Sequence, residues 1–310
     1  MVLWWTSVAL AGSGPWTAGK DRVTVFVGAE GQRFGTLGTD SGADRALTDV
    51  GEGIQKLGIK GIATVGLGSR MELELLIPWY RVEATRPDAE LCAALGLDAC
   101  KTTQGVGIIE TQLKALVLDE YFGAPLSLAL SAELRLGQTT ASTRERITNL
   151  GEGTIDVAPL LTIGRTGSLG KGYWSGWIEG GYRFRTRNTD EYPLLDPAVD
   201  VPAPRDEIVA STEILFGPTT SLAFGPTAYM LSRPGISFGE VDATDPDRFA
   251  ALSVLAVRAG GTLVVRGTGP LTFAGSVLGT AAAINNPTDS WTASVGVQWD
   301  GRVGRDEDGT

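Results

Sequence analysis

Apolar and polar side chains alternate residue by residue through much of this 310-residue chain. In residues 125–138, every second position from Leu126 to Leu136 is apolar, and the positions between them include Ser127, Ser131, Glu133 and Arg135. Successive side chains of a β-strand point to opposite faces, so this pattern predicts a strand with one apolar and one polar face. The alternation recurs at residues 71–81, 109–117, 154–163, 208–216 and 290–299. We therefore expect an all-β protein.

The lengths of these strands and of their connections indicate a membrane barrel. The strands span about 12 to 15 residues, whereas strands of soluble sheets average ~5–6 and a tilted membrane strand needs ~9–11. Short turns near 68–69, 119–123, 167–170, 217–219 and 267–270 alternate with long polar connections at 34–53, 84–104, 138–151, 188–205, 234–248 and, more briefly, 285–289. This predicts a single closed antiparallel transmembrane β-barrel of about twelve strands, with short periplasmic turns and longer extracellular loops.

Three features bear on the strand count and on the soluble alternative. Pro78, Pro159 and Pro226 lie inside predicted strands, where each must remove a ladder hydrogen bond or occupy a bulge. The strand at about 249–267 is overlong and contains Gly260-Gly261. A large β-sandwich or β-helix would also alternate. Aromatic residues at two levels favour the barrel, since interfacial girdles require them: Tyr121, Phe122, Trp174, Phe216 and Trp299 toward the short turns, and Trp79, Tyr182, Phe184 and Trp291 toward the long loops.

The ends of the chain and its cysteines suggest export. Residues 2–11 form a short apolar run that ends in a small-x-small site, the outline of a signal peptide. We expect a signal peptide and lead-in at 1–19, the barrel at 20–300 and a polar tail at 301–310. Cys92 and Cys100 share one predicted loop, where a local disulfide is expected in an exported protein and a pair of free thiols is the alternative.

Composition excludes several classes of function. The chain has no histidine and a net charge of −10. Without histidine, Ser-His-Asp triads and His-ligated metals are excluded, and two cysteines alone cannot complete a tetrahedral site. The net charge of −10 argues against a nucleic-acid partner, because binding to phosphates needs a basic face. We expect no enzyme, no cofactor and no metal, although Glu72 and Glu74 keep a carboxylate-based hydrolase as a weaker alternative.

Charged residues on the polar phase of the strands are the candidate lumen lining. If the barrel is an open pore, these residues place charges of both signs around a water-filled constriction. If the lumen is plugged, long charged side chains meet across the barrel and form ion pairs, because buried charges must be paired. The candidate lumen-lining residues are Glu72, Glu74, Glu110, Lys114, Glu133, Arg135, Asp156, Glu179, Arg183, Arg185, Glu213 and Arg266.

Three segments carry a family resemblance. They are residues 105–114 (GVGIIETQLK), 150–159 (LGEGTIDVAP) and 174–184, which contains Gly180-Gly181-Tyr182-Arg183-Phe184. In this order they resemble outer-membrane transporters of the phenol meta-cleavage degradation pathway. The resemblance extends over about residues 55 to 300 and implies a barrel that passes small organic molecules.

The expected function is passive passage of a small, potentially organic solute through a narrow charged lumen in the outer membrane of a Gram-negative cell. The alternative is a non-conducting barrel that binds a partner or surface through acidic extracellular loops, such as those holding Asp190, Glu191, Asp196 and Asp200, or Glu240, Asp242, Asp245 and Asp247. The expected partners are the lipid bilayer, lipopolysaccharide and the solute.

Overall fold

The computed structural model describes residues 14–38, 44–46, 53–85, 102–137, 154–185, 206–234, 253–284 and 286–302. Cys92, Cys100 and the acidic loop residues named above lie outside this part of the chain. The described residues form twelve long strands and three short ones: β1 (Arg22–Phe34), β2 (Thr36–Gly38), β3 (Asp44–Ala46), β4 (Ile54–Gly66), β5 (Met71–Ala84), β6 (Thr103–Val106), β7 (Ile109–Leu118), β8 (Ser127–Leu136), β9 (Ile155–Leu169), β10 (Gly172–Arg185), β11 (Glu207–Gly217), β12 (Leu222–Arg233), β13 (Val254–Arg266), β14 (Leu271–Ile284) and β15 (Trp291–Arg302).

The long strands close into a ring. Each pairs antiparallel with the next long strand in the chain, and β1 pairs with both β4 and β15, so the first and last strands meet. Val27 lies opposite Val297 at this seam. The expected twelve-stranded antiparallel barrel is therefore confirmed. Among the described residues, no helix is long and apolar enough to cross a bilayer.

The barrel exterior is apolar over the middle of its height. Outward side chains such as Leu57, Ile178, Val277 and Val295 are at least half exposed, while the polar residues beside them on the same strands are buried inside. An exposed apolar surface of this extent would be unfavourable in water and is matched by hydrocarbon. The exterior is therefore a lipid-facing belt.

Aromatic side chains lie on the outer face near both rims. Tyr121, Phe122, Phe216 and Trp299 are exposed toward the short-turn end, and Trp79, Tyr182, Phe184 and Trp291 toward the long-loop end. Trp174, near the short turns, is half-buried. Two levels of amphipathic rings are the arrangement that membrane–water interfaces favour.

Each of the three prolines lies where strand pairing is interrupted. Pro78 separates the part of β5 that pairs with β7 from the part that pairs with β6. The β9–β10 register skips Pro159, and the β11–β12 register skips Pro226. Proline has no N–H to donate, so a closed barrel accommodates it by breaking the ladder on one side.

The sequence did not predict every element. The β2–β3 hairpin lies within the first long connection, and β6 is a separate piece of strand on the edge of β5. β15 extends to Arg302, into the stretch expected to be tail. The overlong tenth strand is a single strand, β13, whose pairing with β14 shifts register between Val257 and Arg258.

A charge in the lipid-facing belt should destabilise the barrel. Ile178 is 57% exposed at mid-height on β10, so Ile178→Arg should lower the free energy of unfolding by about 2–4 kcal/mol. Leu271 is the exposed first residue of β14, at the short-turn end, and Leu271→Arg should cost about 0–1 kcal/mol. Urea unfolding in lipid vesicles measures both. Equal losses would contradict the placement of the belt.

Candidate functional site: the barrel lumen

The lumen is lined by the polar phase of the twelve strands. Of the predicted lumen residues, seven are at least nine-tenths buried: Glu72, Lys114, Arg135, Asp156, Arg183, Arg185 and Glu213. Glu74, Glu110, Glu133 and Glu179 are half-buried on the same face. Arg266 is the exception. It is exposed at the short-turn rim and donates to the Tyr173 hydroxyl at 2.7 Å, because β13 has reached the barrel end there.

One wall of the lumen carries an ionic network, which we call the arginine network: Glu110, Glu133, Arg135, Asp156, Arg183, Arg185, Glu207 and Arg233. It extends over β7–β12. The strand register explains it, since Glu110 lies opposite Arg135, Arg135 opposite Asp156, and Asp156 opposite Arg185. Acids and bases thus alternate across four neighbouring strands.

The ion pairs of the arginine network have N···O distances from 2.8 to 3.8 Å. Arg183 contacts Glu133 and Glu207 at 3.0 Å each, and Arg135 contacts Glu110 at 2.8 Å. Further pairs are Arg185–Glu207 at 3.2 Å, Arg185–Asp156 at 3.5 Å, Arg135–Asp156 at 3.7 Å and Arg233–Glu207 at 3.8 Å. Each pair joins strands that are adjacent or separated by one strand, so these charges lie along the wall.

A second charged cluster lies on the facing wall. Lys60 contacts Glu30 at 3.3 Å, with both side chains about 97% buried. Lys56 lies 4.4 Å above the centre of the Tyr80 ring, and Gly58 leaves the room that this ring occupies. Arg258, from β13, donates to Thr292 at 3.2 Å. These contacts join β1 to β4, β4 to β5 and β13 to β15 from inside the barrel.

Sequence reasoning missed several lumen charges. They are Glu30, Lys56, Lys60, Glu207, Arg233 and Arg258. A signal existed for Lys56 and Lys60, because residues four apart on a strand share a face. In β1 and β13 the glycines interrupt the apolar alternation, and Glu207 lies only two residues after the expected long loop. The polar phase was therefore hard to assign at these positions.

The lumen between the short-turn end and mid-height holds a smaller set of charges. Lys114 contacts Glu72 at 3.0 Å. Glu74 accepts from Thr64 at 3.2 Å, and Glu179 accepts from Thr162 at 2.7 Å. Glu72 and Glu74, the pair considered for hydrolysis, are thus held by different groups. Among the described residues, no group of acidic, cysteine or histidine side chains could hold a metal ion.

Residues 14–19, which we call the strap, cross the short-turn mouth. Lys114 donates to the Gly14 carbonyl at 2.9 Å, the Ala18 N–H donates to Glu72 at 2.6 Å, and the Trp16 indole donates to Glu120 at 3.1 Å. A Cβ built on Gly14 would lie 3.1 Å from Trp177 of β10. In the ring of strands β10 lies opposite β1, so the strap extends from β1 past β4, β5, β7 and β9 to the opposite wall.

A cavity of about 90 Å³ lies between the two charged walls. At ~30 Å³ per molecule it has room for about three waters. Its lining is amphipathic, with Leu76, Tyr80, Leu160, Val209 and Tyr229 beside Lys60, Glu110, Glu133, Arg135, Glu179 and Arg183. The passage between the walls is therefore narrow and polar on two sides.

Comparison with known proteins identifies the fold. The chain matches no protein-family profile and no curated protein sequence. The solved COG4313 outer membrane channel from Pseudomonas putida F1 is similar, with a TM-score of 0.66 and 14% identity over 94% of this chain and 100% of that one. The NanC porin is also similar, with a TM-score of 0.52 and 8% identity over 88% of this chain and 98% of that one. The chain is a twelve-stranded β-barrel of the bacterial outer-membrane type.

Proposed function

We propose that this protein is an outer-membrane channel through which small solutes pass passively. The observation that carries the proposal is the placement of the lumen charges. They are paired along the wall between neighbouring strands, and a polar cavity lies between the walls. Charges that pair along the wall satisfy one another without reaching into the centre of the barrel. The outer leaflet at the long-loop rim supplies lipopolysaccharide as the surrounding lipid.

The cavity lining supports a small, partly apolar solute. Tyr80, Leu76 and Leu160 provide apolar contact, while Arg135, Arg183 and Glu133 lie on the same cavity. A site with a few polar groups on an apolar background suits an organic molecule with one polar end. The similar structures are described as a channel and a porin, and the resemblance to phenol-pathway transporters points to the same class of solute.

Conductance in a planar bilayer tests the channel proposal. We expect the refolded full chain to produce discrete open steps whose size depends on the charge of the ions present. The folded state is checked by heat-modifiable mobility on a gel.

Other results would overturn the proposal. A folded, inserted and persistently silent barrel would favour a non-conducting protein that acts through its acidic loops. A protein that refolds only as a soluble species would contradict membrane insertion itself.

A further inference from the structure

Charge is unevenly distributed along the barrel axis. In the middle and long-loop part of the lumen, the described basic side chains Lys56, Lys60, Arg135, Arg183, Arg185, Arg233 and Arg258 face five acids, namely Glu30, Glu110, Glu133, Asp156 and Glu207. In the described short-turn part, Lys114 is the one buried base among four acids, namely Glu72, Glu74, Glu213 and Asp300. Glu179 lies at mid-height on β10, where it lines the cavity together with Lys60, Arg135 and Arg183. The strap-side half of the lumen is therefore electronegative.

Three lumen residues at and just below mid-height form a compact patch. Trp177 and Glu213 are directly paired across β10 and β11, and Glu179 follows Trp177 on the same face. Glu179 and Glu213 are diagonal neighbours, whose Cα atoms are ~7–8 Å apart in such a sheet. Two carboxylates thus flank one indole ring.

The two carboxylates of the patch have no ion-paired base of their own, although Glu179 lies on the cavity that Lys60, Arg135 and Arg183 also line. Glu179 accepts from Thr162, and Glu213 hydrogen-bonds to Thr262 and Trp177. Among the described residues neither carboxylate forms an ion pair, and Glu213 Oε2 has no hydrogen-bond partner although the residue is only 3% exposed. Lys114, the base of this half, is engaged by Glu72 and by the Gly14 carbonyl. A buried, unpartnered carboxylate oxygen is costly unless something binds it.

We propose that Trp177, Glu179 and Glu213 form a cation subsite that makes the channel select positively charged solutes. Carboxylates supply the attraction and the indole face supplies cation–π contact, which Trp offers best to ammonium groups. Acidic side chains that line a narrow lumen favour cations over anions. The proposal deepens the proposed channel function and depends on it.

Reversal potentials in a KCl gradient test the subsite. The wild-type barrel should be more permeable to K⁺ than to Cl⁻, and E179Q/E213Q should lower that permeability ratio severalfold. Glu83→Gln is the matched control, since Glu83 pairs with Arg81 at 2.9 Å on β5 and both side chains are at least one-third exposed. It removes one carboxylate charge from outside the lumen and should leave the ratio unchanged. Tetramethylammonium should interrupt the wild-type current and leave the double variant's current intact.

The outcomes separate the two proposals. A folded wild-type barrel that never conducts would overturn the channel function and the subsite with it. A conducting barrel that prefers anions, or whose ratio is the same in E179Q/E213Q as in wild type, would overturn the subsite alone. A loss of selectivity in E83Q as large as in the double variant would also count against it, because net charge rather than the patch would then be responsible.

Discussion

Removal of the strap should raise the single-channel conductance severalfold. The strap crosses the mouth from β1 to Trp177 on the opposite wall and is anchored by Lys114, Glu72 and Glu120. The narrowest section of a pore dominates its resistance, so clearing this section should enlarge the current step. The measurement compares the refolded chain starting at Lys20 with the full chain in the same planar bilayer.

A smaller change at the strap provides the control. Trp16→Phe keeps an aromatic ring and removes only the N–H that donates to Glu120 at 3.1 Å. The conductance of this variant should therefore lie between that of the full chain and that of the chain starting at Lys20. Both variants should retain heat-modifiable mobility, because β1 begins after the strap, at Arg22. Equal conductance with and without the strap would contradict its role as a constriction.

Arg183→Met should destabilise the barrel by about 3–5 kcal/mol. Arg183 is 5% exposed and contacts Glu133 and Glu207 at 3.0 Å each. Removing one partner of a buried ionic network leaves carboxylates desolvated and uncompensated, and that penalty exceeds the net gain of the original pairs. Urea unfolding of the inserted protein, followed by tryptophan fluorescence, measures the loss.

The exposed pair on the outer face provides a matched comparison. Arg81 contacts Glu83 at 2.9 Å with the Arg81 side chain 54% exposed, so Arg81→Met should change stability by about 1 kcal/mol or less. Adding Glu133→Gln to Arg183→Met should recover part of the loss, because one uncompensated charge is then removed. If R183M were as mild as R81M, the arginine network would contribute little to stability.

Much of the lumen lining could be predicted from strand parity, which is whether a residue occupies an odd or an even position along its strand and hence which face of the barrel wall it occupies. Glu110, Arg135 and Asp156 were assigned to the interior because each lies on the polar phase of a long alternating strand, and the structure buries or half-buries all three. Arg266 has the same parity and is exposed, because parity gives a face but not a height. It lies in the last position of β13, at the rim.

Strand parity does not predict which charged side chains form ion pairs with one another. Arg183 and Glu133 are separated by 50 positions and by the whole of β9. Their contact depends on the stagger of three strands, which turns, bulges and prolines set together. The Lys60–Glu30 contact likewise depends on how β1 and β4 are staggered. The position of Arg258 depends on the register shift between β13 and β14 that occurs next to it.

By itself, the sequence determined the all-β class, the number of long strands, the alternation of short turns and long connections, and the face of most charged residues. These follow from local rules, since side-chain alternation and turn formation depend on near neighbours. Only the tertiary structure decided how the lumen charges pair, which half is electronegative and that residues 14–19 reach the wall opposite β1. Those features arise when β1 meets β15 and the ring closes, because closure brings together residues that no local pattern relates.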